Sequence, residues 1–405
     1  AVVREPIIGS YRDYKIIGAP PPSSGGIAIV QGLNMVEAVD LPREKFTPKT
    51  LHLLAEVSRR FFLDRARHLG DPDFAKIPEH LTSKSYAKQL VSLIDHLKAT
   101  ESASLADDIE IADESDDTTH FSIIDASGMA VSNTYTLEAS WGSRIVVPGA
   151  GYLLNNEMGD FNWKKGYTDR LGRIGTENNL IKPGKRMLSS QCPLIVTKDD
   201  QVILVTGSPG GRTIINTVFN IVLNVLHYEM PVPQAVQSRR FHHQWMPDLL
   251  TLENAEGETF DELRSELEAM GHRINDRPSQ GSAHTIGYDP TSKRMVGVAD
   301  YRRGGRPAGI SSSRLTRWDF GGRAGTSLDR QAATGNRQMF WSNSISGCAT
   351  DGEDRLTIRR DGSSMPNQTH IRCPAISDTC ELSIEFDRLR FAGPDRDEEL
   401  RFAFI

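Results

Sequence analysis

The sequence has 405 residues, a formal net charge of −6, 38% hydrophobic residues and 25% charged residues. That length accommodates one large domain or two to three smaller ones, and the acidic balance gives no reason to expect nucleic acid as a partner. No run of 18 apolar residues exists to span a membrane, and neither a starting Met nor a signal peptide is visible.

The first periodic signals in chain order are helical. Leu51, Leu54, Ala55, Phe61, Phe62 and Ala66 recur at helical spacing across 49–68. Tyr86, Leu90, Leu93, Ile94 and Leu97 repeat the pattern across 84–97. Gly70 and Gly271 read as helix stops. The stretch 99–117 is rich in Asp and Glu and has no periodicity, the composition of an exposed linker such as a scissile connection needs. Beyond it the pattern changes to hairpins: His120–Asp125 with Met129–Leu137, Pro193–Thr197 with Val202–Thr206, and His284–Tyr288 with Met295–Ala299. Helices are expected near 211–227 and 259–270. Sheets with helices laid against them suit a layered α/β sandwich.

Composition changes near residue 310. From Ile310 to Ile405 there are thirteen arginines, no lysine and three of the four cysteines. This segment reads either as a short β-rich module ending in Glu381–Phe386 or as an extension of little order. Cys192, Cys348, Cys373 and Cys380 form no zinc pattern. A Cys373–Cys380 disulfide would suit an exported protein, although spacing alone does not fix it. Cys192 reads as a buried small residue, and Asn367-Gln368-Thr369 as a chance sequon. His242 and His243 read as packing rather than as metal ligands, because neighbours on a strand face opposite ways.

The chemistry centres on Asp117-Thr118-Thr119-His120. A mid-chain threonine is a poor nucleophile, but cutting the Asp117–Thr118 bond frees an α-amine that can serve as its base. That amine has an ordinary pKa of ~7.7–8.0, so much of it is basic near neutrality. Gly210 and Gly211 follow a strand and open a helix, where consecutive amides make an anion site suited to an oxyanion. The Gly-Lys-Ser/Thr ending of a phosphate loop is missing there. Ser189 and Ser190 offer two hydroxyl donors to a carboxylate. Glu157 and Asp160, three apart after Asn155-Asn156, can converge on one ammonium group, and no nearby His or Cys turns them into a metal set. By strand alternation Thr134, Thr136 and Glu138 share a face of the strand that pairs with the one headed by Thr118.

Seven stretches stand in order and at consistent spacing. They are Pro20–Gly26, Leu69–Phe74, Thr118-Thr119-His120, Asn155–Met158, Leu188-Ser189-Ser190, Ser208–Gly211 and Arg240–Trp245. Together they resemble the γ-glutamyltranspeptidases, members of the N-terminal-nucleophile (Ntn) hydrolases, over roughly residues 4 to 309. The resemblance implies an αββα four-layer sandwich, incomplete at its N-terminus, with 1–117 as the end of a large subunit and 118–309 as the small one. Residues 310–405 stay an unassigned appendage, and the upstream half that supplies a carboxylate-binding arginine is missing.

The resemblance further implies that Thr136 bonds the nucleophile, that Glu138 helps hold the substrate α-amine, and that Asp160 is its principal ligand. It implies self-cleavage into two associated products and γ-glutamyl transfer from glutathione to an amino acid or water. It also implies a periplasmic or extracellular location and no metal or organic cofactor. A lid is expected within 161–187, with Trp163, Lys164, Lys165 and Tyr167 as candidates. Three other readings stay open: a related acylase acting on glutaryl-β-lactams or poly-γ-glutamate, a truncated, non-catalytic binding homologue, and an adhesive or anchoring role for the C-terminal appendage.

Overall fold

The structure, a computed structural model, describes residues 3–106, 118–162, 164–166, 176–253, 258–303, 305 and 307–309, and five short strands between 348 and 404. The chain divides into two compact units, 1–303 and 304–405. In the second, β-strands Cys348–Thr350, Arg355–Ile358 and Thr369–Arg372 form an antiparallel sheet, and Leu382–Glu385 pairs with Arg401–Phe404. Cys373, Cys380, Asn367 and Gln368 lie outside the described residues.

The first unit opens with the hairpin β1 (Ile7–Tyr11) and β2 (Tyr14–Gly18), then α1 (Gly25–Ala38), α2 (Pro48–His68) and α3 (Lys84–Ser92). After residue 118 come β3 (Thr119–Ile124), β4 (Ala130–Tyr135), β5 (Leu194–Lys198), β6 (Gln201–Thr206) and α4 (Thr213–Leu226). The remainder is α5 (Val232–Gln237), β7 (Phe241–His242), β8 (Leu250–Glu253), α6 (Glu258–Ala269), β9 (Ile274–Arg277), β10 (His284–Asp289) and β11 (Arg294–Ala299).

The main sheet has the order β1-β2-β5-β6-β10-β11, antiparallel throughout. Ile16, Val196 and Leu204 stand in register across three of its strands and join one core with Ile29 and Leu33 of α1, Leu54 and Phe61 of α2, and Phe219 of α4. Helix α1 is buried nearly all round, Gln31 and Asn34 included, because it is covered by the sheet and by other helices. The β3–β4 hairpin packs face-on against the opposite side of the sheet. The Ser122 hydroxyl donates to the carbonyl of His284 at 2.8 Å, and that of Ser132 to the carbonyl of Thr206 at 3.0 Å. Strand alternation then turns Phe121, Ile123, Val131 and Tyr135 outward, where they are exposed. These are helix, sheet and sheet layers of the αββα arrangement.

Two expectations need correction. The helix expected over 84–97 ends at Ser92, and Leu93 and Leu97 are exposed. Arg60 reaches from α2 to donate to the carbonyls of Leu90 and Leu93, both at 3.1 Å, so a tertiary partner satisfies the C-terminal carbonyls and the chain turns away. Nor are residues 99–106 an exposed linker. Ser102 is wholly buried: its amide donates to Asp248, its hydroxyl accepts from Arg59, and its carbonyl accepts from Trp245 Nε1 at 2.9 Å. Residues 107–117 lie outside the described residues.

Glu56 anchors that docking. It accepts from Arg59, Arg60 and the Thr100 amide and hydroxyl. Burial pushes its carboxyl up, yet the two guanidinium groups and the Thr100 hydroxyl outweigh burial and hold it at about 2. A carboxyl depressed in the folded chain contributes stability above its unfolded pKa, and that stability is lost as pH falls toward the folded value. Between pH ~4.5 and ~2 the Glu56 contribution should fade by about 3 kcal/mol, and Glu56→Gln should flatten that part of the profile. Urea midpoints measured from pH 6 to pH 3 check this; parallel profiles for the two chains would contradict it.

Candidate active site

The hairpin β5–β6 closes its last rung with Leu194 opposite Thr206. Just beyond lie Ser189-Ser190, in the loop that enters β5, and Gly210-Gly211, in the loop that leaves β6. Ser132 ties β4 to this rung by donating to the Thr206 carbonyl and accepting from the Leu194 amide, both at 3.0 Å. The open end of β3–β4 therefore meets the open end of β5–β6. Thr118, half-buried, stands one residue before β3, and the Thr119–Tyr135 rung makes Thr136 its opposite number.

Strand alternation does not continue past that rung. β4 ends at Tyr135, and Glu138 has φ of +73°. The Thr136 hydroxyl accepts from the Glu138 amide at 2.7 Å, so a side-chain turn replaces the ladder and Thr134, Thr136 and Glu138 do not share a strand face. The turn instead delivers Thr136 and Glu138 to Glu157. Burial pushes the Glu157 carboxyl above the ordinary carboxylate range, opposed by the Glu138 amide and the Thr136 hydroxyl that bond it. Its Oε1 is buried with no hydrogen-bond partner among the described residues. The Glu138 carboxylate lies against Gly159, at a position a Cβ would fill, and Asp160 ends the same one-turn 3-10 helix, Glu157–Asp160. Three acids thus gather at one turn, and Glu157 Oε1 is placed to accept from a donor there.

The two serines are held from beneath. Arg65 of α2 donates to Ser190 Oγ at 2.8 Å and to Ser24 Oγ at 2.9 Å, and Ser24 in turn donates to the Ser189 carbonyl at 2.7 Å. Ser189 Oγ accepts from the Gln191 amide at 3.1 Å. Each hydroxyl accepts from inside and keeps its own proton for an outside acceptor, as carboxylate binding requires.

Gly210 and Gly211 have φ of +129° and +53° and lead directly into α4. The Gly210 carbonyl accepts from the Thr213 amide at 3.0 Å and its hydroxyl at 2.6 Å. Only glycine adopts the Gly210 conformation readily, and a Cβ there would stand 2.6 Å from Thr213 Oγ1. Successive amides at a helix start form an anion-binding concavity.

The gamma-glutamyltranspeptidase family model matches residues 1–310. The chain belongs to this family. A glutathione hydrolase proenzyme of Escherichia coli strain K12 is 43% identical over 304 residues, 75% of this chain and 52% of that protein. One from Pseudomonas aeruginosa is 41% identical over 312 residues, 76% and 55% of the two lengths. Acylase ACY 1 proenzyme from Pseudomonas sp. strain SE83 is 35% identical over 314 residues, 76% of this chain and 52% of its own. The chain thus spans about half the length of these relatives. The fold is shared with the crystal structure of a cephalosporin acylase from Bacillus halodurans, with a TM-score of 0.60 over 74% of this chain and 51% of that one, at 23% identity.

His242 and His243 are buried, bonded to Asn216, Gln244 and Asp248, and burial drives their pKa values down to about 3 and about 4. Cys192 is buried and burial raises its thiol pKa. Among the described residues no group of three or more His, Cys, Asp or Glu could hold a metal ion. Asp117, Trp163 and Tyr167 lie outside the described residues, while Lys165 pairs with Glu177. Sequence reasoning missed Arg65, whose position on a helix gave no sign of Ser190. His120 stands in the threonine motif, but spacing alone assigns it no task. Ser282 was missed as well; its amide donates to Ser208 Oγ at 2.9 Å behind the glycine pair.

Proposed function

We propose that this chain carries the catalytic threonine of a self-processing γ-glutamyltransferase and glutathione hydrolase. The reading rests on Thr118 heading β3 at the end of the sheets where the Gly210–Gly211 loop and the Ser189-Ser190 hydroxyls also lie. In the uncut chain the Thr118 hydroxyl attacks the Asp117 carbonyl. The acyl group moves from nitrogen to oxygen, and water then hydrolyses the ester. That leaves the Asp117 carboxylate and a free Thr118 amine. β2 comes before the cut and pairs with β5 after it, so the two products stay joined within one sheet.

In turnover the Thr118 hydroxyl gives its proton to that amine and attacks the γ-amide carbonyl of glutathione or a similar donor. The amides of Gly210 and Gly211 hold the tetrahedral oxyanion. The C–N bond breaks, the leaving amine takes the proton, and a γ-glutamyl ester remains for water or an amino acid amine to attack. Ser189 and Ser190 donate to the donor's α-carboxylate, and Glu157, Glu138 and Asp160 receive its α-ammonium. Thr136 commits its own proton to Glu157, so it can only accept from the nucleophile. The vacant Glu157 Oε1 favours a donor bearing an amine over a glutaryl group. No helix among the described residues is long and apolar enough to cross a membrane. The family resemblance makes the periplasm or the cell exterior the expected location.

Intact mass of the purified chain, followed by release of p-nitroaniline from its γ-glutamyl derivative, tests the reading. A single uncut mass with no release would overturn it. Glu157 adds a pH test. Its raised carboxyl must be ionised to hold an ammonium group, so KM for the donor should rise as pH falls through that pKa. Glu157→Gln should raise KM about 10- to 100-fold, the worth of one charged hydrogen bond, and remove the acid limb. An unchanged KM and slope would clear Glu157 of that role.

A further inference from the structure

His120 lies two residues after Thr118, is 3% exposed, and takes no part in the proposed γ-glutamyl transfer. Its Nδ1 is 2.8 Å from Thr134 Oγ1 and its Nε2 3.0 Å from Ser122 Oγ. The only proton on Ser122 goes to a carbonyl, that of His284 at 2.8 Å or of Val205 at 3.3 Å, and either can only accept. Ser122 Oγ must therefore accept from His120, so Nε2 carries the ring proton and Nδ1 receives that of Thr134. The imidazole is neutral and both nitrogens are engaged, so it has no lone pair to offer Thr118. Burial, with His284 nearby, keeps it neutral by lowering its pKa to about 3.

The same ring fills the space over Gly207. A Cβ on Gly207 would come within 2.8 Å of Nε2 and closer still to Nδ1 and Cε1. Gly207 is itself fixed by the His284 amide, which donates to its carbonyl at 3.2 Å. The ring thus separates two backbones. One reaches Thr118 two residues back; the other reaches Gly210 three residues on. We propose that His120 is a positioning residue whose neutral ring sets the distance between the Thr118 hydroxyl and the Gly210–Gly211 amides. This rests on Thr118 being the nucleophile.

The test compares the 405-residue chain with its His120→Ala, Gly207→Ala and double variants, for self-cleavage rate and for kcat and KM. Each single change should lower kcat and cleavage about 10- to 100-fold, since about 1 Å of misplacement has that effect, with KM within about twofold. The double variant should recover part of the loss, because the Gly207→Ala methyl occupies space the ring vacated; a lost base would not be restored by a methyl group. The acid limb of the kcat profile should keep its midpoint. If His120→Ala does not fold, His120→Gln, with one donor and one acceptor, takes its place. Wild-type kcat in the histidine variant, or losses that simply multiply in the double variant, would overturn the proposal. A wild-type chain that neither cleaves nor turns over would remove the Thr118 reading and this proposal with it, an outcome distinct from a normal wild type with indifferent variants.

Discussion

Thr118→Ala is expected to leave a single 44.9-kDa chain where the unsubstituted protein yields two fragments, 1–117 and 118–405. The alanine has no oxygen to attack the Asp117 carbonyl and none to carry a γ-glutamyl group, so one change removes both reactions. Losses on the order of 10⁴–10⁶-fold accompany removal of a nucleophile that acts with its base as a unit. Thr118→Ser separates chemistry from geometry. It keeps the hydroxyl and loses the methyl that restricts χ1, so cleavage should persist at a reduced rate. Thr118 is only half-buried and precedes the strand, so the unfolding transition of both variants should stay near that of the wild type. Mass spectrometry after fixed incubation times gives the result directly. A Thr118→Ala chain cut at the same bond would show an external protease at work. A wild-type chain left whole would favour an inactive member of the family.

The parts of the fold legible in the sequence are those set by local periodicity. Helix α2 announces itself because Leu51, Leu54, Phe61 and Ala66 repeat on one face, and Thr47 caps it by accepting from the Thr50 amide at 3.2 Å. The three hairpins show because turn residues separate alternating runs. What stayed hidden depended on partners far away in the chain. The end of α3 is decided by Arg60, some thirty residues upstream. The docking of Ser102 is decided by Arg59, Trp245 and Asp248, none of which marks it locally.

The candidate site divides along the same line. Gly210 and Gly211 were legible because a glycine pair between a strand and a helix leaves successive amides bare at the helix start. The serine pair reads as two hydroxyls, but nothing local announces the Arg65 guanidinium that donates to Ser190 Oγ and so fixes its proton direction. Alternation does not place Glu138: the Thr136 hydroxyl captures its amide and turns the chain there. Side-chain competition of this kind leaves no periodic signal.

Gly210→Ala should lower kcat by about 10²–10³-fold. At φ of +129° an L-residue is strained in any surroundings, and the new Cβ would lie 2.6 Å from Thr213 Oγ1, at the first residue of α4. The loop can relieve both problems only by rotating the peptide, which turns an amide away from the oxyanion. Losing one such donor costs about 2.7–4 kcal/mol, or about 10²–10³-fold in kcat. The ground-state contacts through Ser189, Ser190 and Glu157 are untouched, so KM should change little. Gly210→Ala/Thr213→Ala removes the clash but not the strain, and should recover only part of the rate. The relevant measurement is kcat and KM for hydrolysis of a γ-glutamyl anilide, alongside the rate of self-cleavage, which passes through a tetrahedral oxyanion of its own. A variant that lost donor hydrolysis but cleaved itself at the normal rate would show that the two reactions stabilise their oxyanions with different amides. A variant normal in both would remove the Gly210 amide from the mechanism.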